Sequence, residues 1–166
     1  FVFLGIFSAS FAIGAEVKVS EEESKIILEQ FESLIDEIDA IGIFSHNTTL
    51  ALPMFIPGFG IVWGAFAAFS TGMAFSVLKD ASPMLANVPS LTILFMSPFG
   101  LMEVAAYSIA MSRSYMIVHK MIRRVPIRPD YRIIGIEIGI LVGLLLVGGF
   151  VEYYFIENIP RDSPKI

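Results

Sequence analysis

Four long apolar runs, with a shorter one at the start, constrain this chain more than any other feature. The clearest run, residues 133–156, holds two acidic side chains and no basic one. A helix rises about 1.5 Å per residue, so about 20 such residues cross a hydrocarbon core of roughly 30 Å. The chain is 55% hydrophobic with a mean hydropathy of +0.75, too apolar for a soluble domain. The sequence therefore predicts an all-α integral membrane protein.

The runs predict one polytopic helical bundle over residues 1–166, with about five membrane passes and no separate soluble domain. Residues 61–78, 91–118 and 133–156 are clean spans. Residues 43–57 are polar for a span and contain two prolines, so we expect a broken or re-entrant segment there. Residues 1–15 are too short to span by themselves, and because the chain opens on Phe1 we expect missing or processed N-terminal residues.

Residues 20–41 have a different character and predict an amphipathic helix outside the membrane. Ser20 and Glu23 fit a capping box, and apolar residues then recur at helical spacing opposite an acidic face. An acidic face is repelled by anionic lipid surfaces. We therefore expect the apolar face to pack on the bundle or on a partner protein, and the sequence favours neither alternative.

The distribution of charge predicts the orientation in the cell membrane. Residues 113–132 carry six basic side chains against one acid, Asp130. Basic loops stay in the cytoplasm, so this segment is predicted to be a cytoplasmic loop. Five passes then leave residues 20–41 and the C-terminus outside.

Small residues recur at every fourth position in two of the runs. Such ridges let helix backbones approach closely in lipid, either within one bundle or against a neighbouring subunit. We expect internal packing for both ridges, although the spacing fits either alternative. The helix-packing positions are Gly60, Gly64, Ala68 and Gly72 in one run and Gly135, Gly139 and Gly143 in the other.

Two acidic residues lie inside predicted spans. Glu103 is near the middle of residues 91–118, where a carboxylate costs about 2.5 kcal/mol or more and must be protonated or paired. It is either a proton or ion site or a structural hydrogen-bond acceptor. No second carboxylate or basic residue is evident at that depth, so we favour the structural role. Glu137 is about one turn inside the cytoplasmic boundary, and we expect it to pair with Arg132 or Arg128.

The remaining polar group in lipid is His46 with Asn47, which we interpret as hydrogen-bonding between helices. His46 and Glu103 do not make a full ligand set, and the chain has no cysteine, so no metal site is predicted. The sequence shows no phosphate-binding loop and no HExxH, and it predicts no catalytic residue. We expect no cofactor, although a bound lipid is compatible with the sequence. The basic stretch fits membrane topology and lipid headgroups better than nucleic acid.

Two short motifs resemble the stage II sporulation protein M family. Residues 43–47 followed by a proline- and glycine-rich stretch resemble its Asn-then-glycine pattern, and residues 98–103 resemble its proline-glycine-glutamate motif. The positions that the resemblance singles out are Asn47, Gly58, Gly60, Gly64, Pro98, Gly100 and Glu103. The family occurs in bacteria and archaea. Its sporulation members anchor a wall-remodelling complex without known catalytic activity, and its helical layout is similar to that of ABC-type permeases.

Two functions follow as expectations. The first is a non-catalytic integral membrane subunit that scaffolds or stabilises a larger complex with other membrane proteins, as part of a hetero-oligomer. That complex is either a wall-remodelling assembly or a membrane-bound oxidase or monooxygenase to which the chain is accessory. The alternative is a permease-like transport component, with residues 43–57 and Glu103 lining a path. Transporters often have repeated halves, and the absence of a visible repeat counts against the alternative.

Overall fold

A computed structural model describes residues 1–36, 39–82, 85, 86 and 88–158. Within these residues every regular element is helical, which confirms the predicted all-α class. The α-helices are α1 (Val2–Gly14), α2 (Glu21–Asp36), α3 (Ala40–Ala51), α4 (Phe59–Ala81), α5 (Ser90–Met96), α6 (Pro98–Ile122) and α7 (Tyr131–Asn158). Two short 3-10 helices, Leu52–Phe55 and Arg128–Asp130, precede α4 and α7.

Two described helices are long and apolar enough to cross a membrane, namely α4 and the continuous stretch Arg128–Asn158 that contains α7. The pair α5 and α6 adds a third span if the two helices are counted as one. By length and composition, the described residues therefore provide two or three spans, and five passes are not confirmed. The difference arises because α1 and α3 are only 13 and 12 residues long.

The predicted span 91–118 is bent rather than continuous, which corrects the sequence-based prediction. The axes of α5 and α6 meet at 89°. Proline cannot continue the hydrogen-bond ladder of a helix, and Pro98 occupies the first turn of α6. Ser97 stabilises the bend, since its hydroxyl donates to the carbonyl of Ile93 (2.6 Å) and accepts from the amide of Gly100 (3.1 Å).

The polar segment around residues 43–57 is also broken. α3 ends at Ala51, a 3-10 turn follows, and Gly58 has a φ of 77°, a backbone conformation that favours glycine. The fully buried hydroxyl of Ser114 donates to the carbonyl of Ile56 (2.6 Å) and accepts from the amide of Gly58 (3.0 Å). α6 therefore supplies the hydrogen bonds that the break removes from the helix.

The first glycine ridge is packed inside the bundle. All four of its residues on α4 are buried, and α4 makes its most extensive contact with α1. A side chain on Gly72 would collide with the carbonyl oxygen of Phe11, and one on Gly14 with that of Phe69. The short first run is consequently a central element of the core, in which Phe7 and Phe11 are buried.

The second ridge does not pack inside the described bundle, which corrects the expectation for Gly135, Gly139 and Gly143. These three glycines are exposed, and nothing lies within 4 Å of a Cβ placed on any of them. The close approaches of α7 are made instead by two other glycines nearer its C-terminal end. A Cβ on Gly149 would lie 3.0 Å from the carbonyl oxygen of Ala40, and Gly148 faces Met102.

Two predicted boundaries differ from the structure. The acidic helix covers Glu21–Asp36 rather than 20–41, because Asp39 has extended backbone and caps α3 by accepting from the amide of Gly42 (2.6 Å). Residues 37 and 38, and the tail after Asn158, lie outside the described residues. The predicted basic loop 113–132 is mostly helical, since α6 continues to Ile122 and α7 begins at Tyr131.

Candidate functional site between helices 3, 6 and 7

The interhelical polar contact joins Asn47 on α3 to Glu103 on α6. The side-chain amide of Asn47 donates a 2.7 Å hydrogen bond to Oε1 of Glu103, although 56 residues separate them. Asn47 is buried. Because α6 begins at Pro98, Glu103 lies about 7 Å along this helix from its first residue rather than at the middle of a straight span. The resemblance singled out both residues, and the structure brings them into contact.

A second carboxylate, from Glu152 on α7, lies within electrostatic range of Glu103 and of Tyr107. The expectation that Glu103 has no second carboxylate near it is therefore wrong. α6 and α7 are joined by a short turn and pack against each other, so the start of α6 meets the end of α7. Two carboxylates that interact in this way repel each other when both are charged. No group of three or more metal-ligating residues occurs within the described ranges.

The other polar residues near Asn47 do not form a single cluster with it. His46 is exposed, so it does not bond helices together as the sequence predicted. The hydroxyl of Thr49 donates to the carbonyl of Ser45 in its own helix (2.8 Å). Asn47 thus bonds α3 to α6 through its side chain.

Glu137 is paired with Arg113 rather than with Arg132 or Arg128, which corrects the predicted partner. Nε and Nη2 of Arg113 each donate a 2.5 Å hydrogen bond to the Glu137 carboxylate. The side chains are 6% and 19% exposed. The reason is the antiparallel packing of α6 and α7, which lays Arg113 beside Glu137 while Arg128 and Arg132 remain exposed.

The other positions singled out by the resemblance have structural roles. A side chain on Gly60 would collide with the carbonyl of Met54, and one on Gly64 would meet the Met111 side chain at 2.6 Å. Gly58 provides the positive φ at the start of α4, and Pro98 and Gly100 stand at the bend before α6. These residues shape the helices that carry Asn47 and Glu103.

Sequence reasoning missed four features of this region: the carboxylate of Glu152, the guanidinium of Arg113, the hydroxyl of Ser114 and the packing glycines of α7. Glu152 was visible as the second acid of the run 133–156, and the pair Gly148–Gly149 was visible as adjacent small residues in the same run. No sequence signal links Arg113 or Ser114 to its partners, because those contacts depend on which helices are neighbours.

Together, the all-helical fold, its two or three candidate spans and its interhelical polar contacts are those of a helical membrane protein. No protein-family model matches the chain, and it matches no curated protein and no solved structure.

Proposed function

We propose that this protein is a non-catalytic integral membrane subunit that scaffolds a larger membrane protein complex through α7. The observation that carries the proposal is the open ridge of Gly135, Gly139 and Gly143. The equivalent ridge on α4 is filled by the protein's own helices, as is usual for small residues at every fourth position. A ridge of the same spacing without a neighbour is a surface for a helix from another protein.

The surroundings of the ridge support this use. Ile136 and Ile140 are exposed beside it and would pack around an incoming helix by van der Waals contact. Other positions of α7 are held by the Arg113–Glu137 ion pair and by the close contact at Gly149. The ridge is therefore presented outward on a helix that is fixed to the rest of the bundle.

The wider assignment rests on the sequence. The resemblance to the stage II sporulation protein M family supports a wall-remodelling assembly in the cell membrane, and an accessory role beside a membrane-bound oxidase or monooxygenase is the other candidate complex. In this proposal α1, α3, α4, the bent pair α5 and α6, and α7 supply the five passes. The basic turn faces the cytoplasm, and α2 and the C-terminus face outward.

The test is co-purification after gentle detergent extraction from the native membrane, followed by native mass spectrometry. The wild-type chain should carry other membrane proteins at a fixed stoichiometry, and Gly139→Leu should lose them. Gly5→Leu is the matched control, because Gly5 is also a helical glycine with nothing within 4 Å of its Cβ position but lies on α1. A wild-type chain that is a monomer or homodimer, or a Gly139→Leu chain that keeps its partners, would contradict the proposal.

A permease-like transport component is the second candidate, and the site at Asn47, Glu103 and Glu152 supports it. Here a broken helix and a bent helix pair surround two carboxylates, an arrangement common at substrate sites of transporters. In proteoliposomes, Glu103→Gln should abolish proton or cation flux while the chain stays folded. Glu157→Gln, an exposed acid at the end of α7, is the control and should leave the flux unchanged. Equal flux in both variants would exclude this function.

A further inference from the structure

The turn between α6 and α7, taken together with the first two residues of α7, carries four exposed arginines within ten residues. They are Arg123, Arg124, Arg128 and Arg132. Among the residues that the structure describes, the ion pairs at this end of the bundle are Arg113–Glu137 and Lys120–Asp130, and neither includes any of the four. The turn therefore presents four positive charges that nothing in the described part of the chain neutralises.

The one acid in this turn is not available to the arginines. Asp130 is buried, and its two carboxylate oxygens accept from Nζ of Lys120 at 2.7 and 2.6 Å. This ion pair joins the end of α6 to the start of α7 and holds the turn in place. The arginines extend from the turn without a local counter-charge among the described residues.

Exposed apolar side chains alternate with the arginines. Ile122 is 77% exposed and Tyr131 is 67% exposed, and Met121 and Val125 are exposed as well. Large apolar groups in contact with water are unfavourable, whereas groups of this kind flanked by cations are typical of surfaces that lie at the membrane interface.

Arg124 also occupies a backbone position that suits glycine. Its φ is 54°. The amide of Arg124 donates to the carbonyl of Met121 (3.1 Å), and the amide of Val125 donates to that of Lys120 (2.9 Å). This pair of bonds is the Schellman ending of a helix, in which the left-handed residue is usually glycine. Arg124 thus places a cationic side chain at a position whose backbone conformation favours glycine.

We propose that this turn is a binding surface for the phosphate headgroups of anionic phospholipids. The turn joins α6 to α7, a candidate span, so it lies at the level where headgroups are found. One guanidinium group can donate two parallel hydrogen bonds to two oxygens of a phosphate. The apolar side chains between the arginines would contact the lipid acyl chains just beneath the headgroups. This surface is on the turn rather than on the ridge of α7, so the inference does not depend on the proposed scaffold function.

The test measures which lipids the full chain retains. The protein is reconstituted into vesicles of equal parts phosphatidylcholine and phosphatidylglycerol and extracted again in a mild detergent, and the bound lipids are counted by mass spectrometry. The wild-type chain should retain phosphatidylglycerol in excess. Replacing the four arginines by glutamine should lower that excess, by about fivefold for each arginine that contacts a headgroup. Equal retention of both lipids by the wild-type chain, or an unchanged excess in the glutamine variant, would overturn the proposal.

Matched variants separate the site from general charge and from misfolding. Lys18 and Lys25 are exposed cations near the C-terminal end of α4, away from the four arginines. Replacing both by glutamine should leave the excess of phosphatidylglycerol unchanged. Replacing the four arginines by lysine should keep most of it. If the fourfold glutamine variant aggregates, Arg128→Gln and Arg132→Gln alone should each lower the excess, and no change in either would overturn the proposal.

Two further outcomes identify a different ligand. The same extraction is repeated with inorganic phosphate at millimolar concentration. Loss of phosphatidylglycerol from the wild-type chain under that condition would assign the surface to soluble phosphate and overturn the lipid assignment. If the glutamine variant retains lipid as the wild type does but loses a co-purifying acidic protein, the surface binds a protein instead.

Discussion

Asn47 donates a 2.7 Å hydrogen bond to Glu103 and thereby ties the short helix α3 to the start of α6. Glu152 on α7 interacts electrostatically with the same carboxylate. The Arg113–Glu137 and Lys120–Asp130 ion pairs connect α6 and α7 toward their other ends. Among the described residues the two longest helices are therefore joined by ion pairs toward one end, and apolar packing fills the length beyond them.

Replacing Asn47 by leucine should destabilise the fold by about 1 kcal/mol, because Glu103 loses its hydrogen-bond donor. Glu103→Gln should cost less, since the glutamine carbonyl still accepts from Asn47. Unfolding in mixed detergent, followed by circular dichroism, measures both. Thr49→Val is the control, because Thr49 bonds only to its own helix in the described structure. Equal losses for Asn47→Leu and Thr49→Val would contradict the interhelical role.

Arg113→Met should reduce the free energy of unfolding by about 3–5 kcal/mol, because Glu137 would remain largely buried without its partner. The double variant Arg113→Met with Glu137→Met should recover most of this loss, since neither side chain is then charged. Arg128→Met, at an exposed arginine, should change stability by less than about 0.5 kcal/mol. If the double variant is as unstable as Arg113→Met, the loss does not come from leaving the Glu137 charge without a partner, and the prediction is wrong.

Gly72→Ala should cost about 1–3 kcal/mol, because the added methyl group meets the backbone of Phe11 on α1. Gly139→Ala should be neutral or stabilising by up to about 1 kcal/mol, because its Cβ position is open and alanine is the better helix former. Thermal unfolding of the purified monomer in detergent distinguishes the two. If both substitutions destabilise the monomer equally, the assignment of one ridge to the interior and the other to the outside is wrong.

Arg124→Gly should raise the free energy of unfolding by about 1 kcal/mol, because glycine removes the steric cost of the left-handed conformation. The same substitution at Arg123, whose φ is −81°, should bring no such gain. The two variants remove the same charge, so their difference isolates the backbone effect. Equal unfolding temperatures in a thermal scan would contradict it.

Local patterns in the sequence were sufficient for the class of protein and for several details. Apolar runs predicted an all-helical fold because helices satisfy their backbone within one segment. The Ser20–Glu23 capping box is present, with the amide of Glu23 bonded to the Ser20 hydroxyl and that of Ser20 to the Glu23 carboxylate. The spacing of Gly60, Gly64 and Gly72 also predicted a closely packed face of α4. Each of these depends on residues a few positions apart.

The tertiary structure alone decided which residues meet across helices. The pairing of Glu137 with Arg113, the proximity of Glu152 to Glu103 and the contact of Gly149 with α3 all require α6, α7 and α3 to be neighbours in a particular register. The two glycine ridges have the same spacing, yet within the described residues only the ridge on α4 is filled. The spacing of residues along one helix determines which of them share a face. Which helix packs against that face depends on how all the other helices pack.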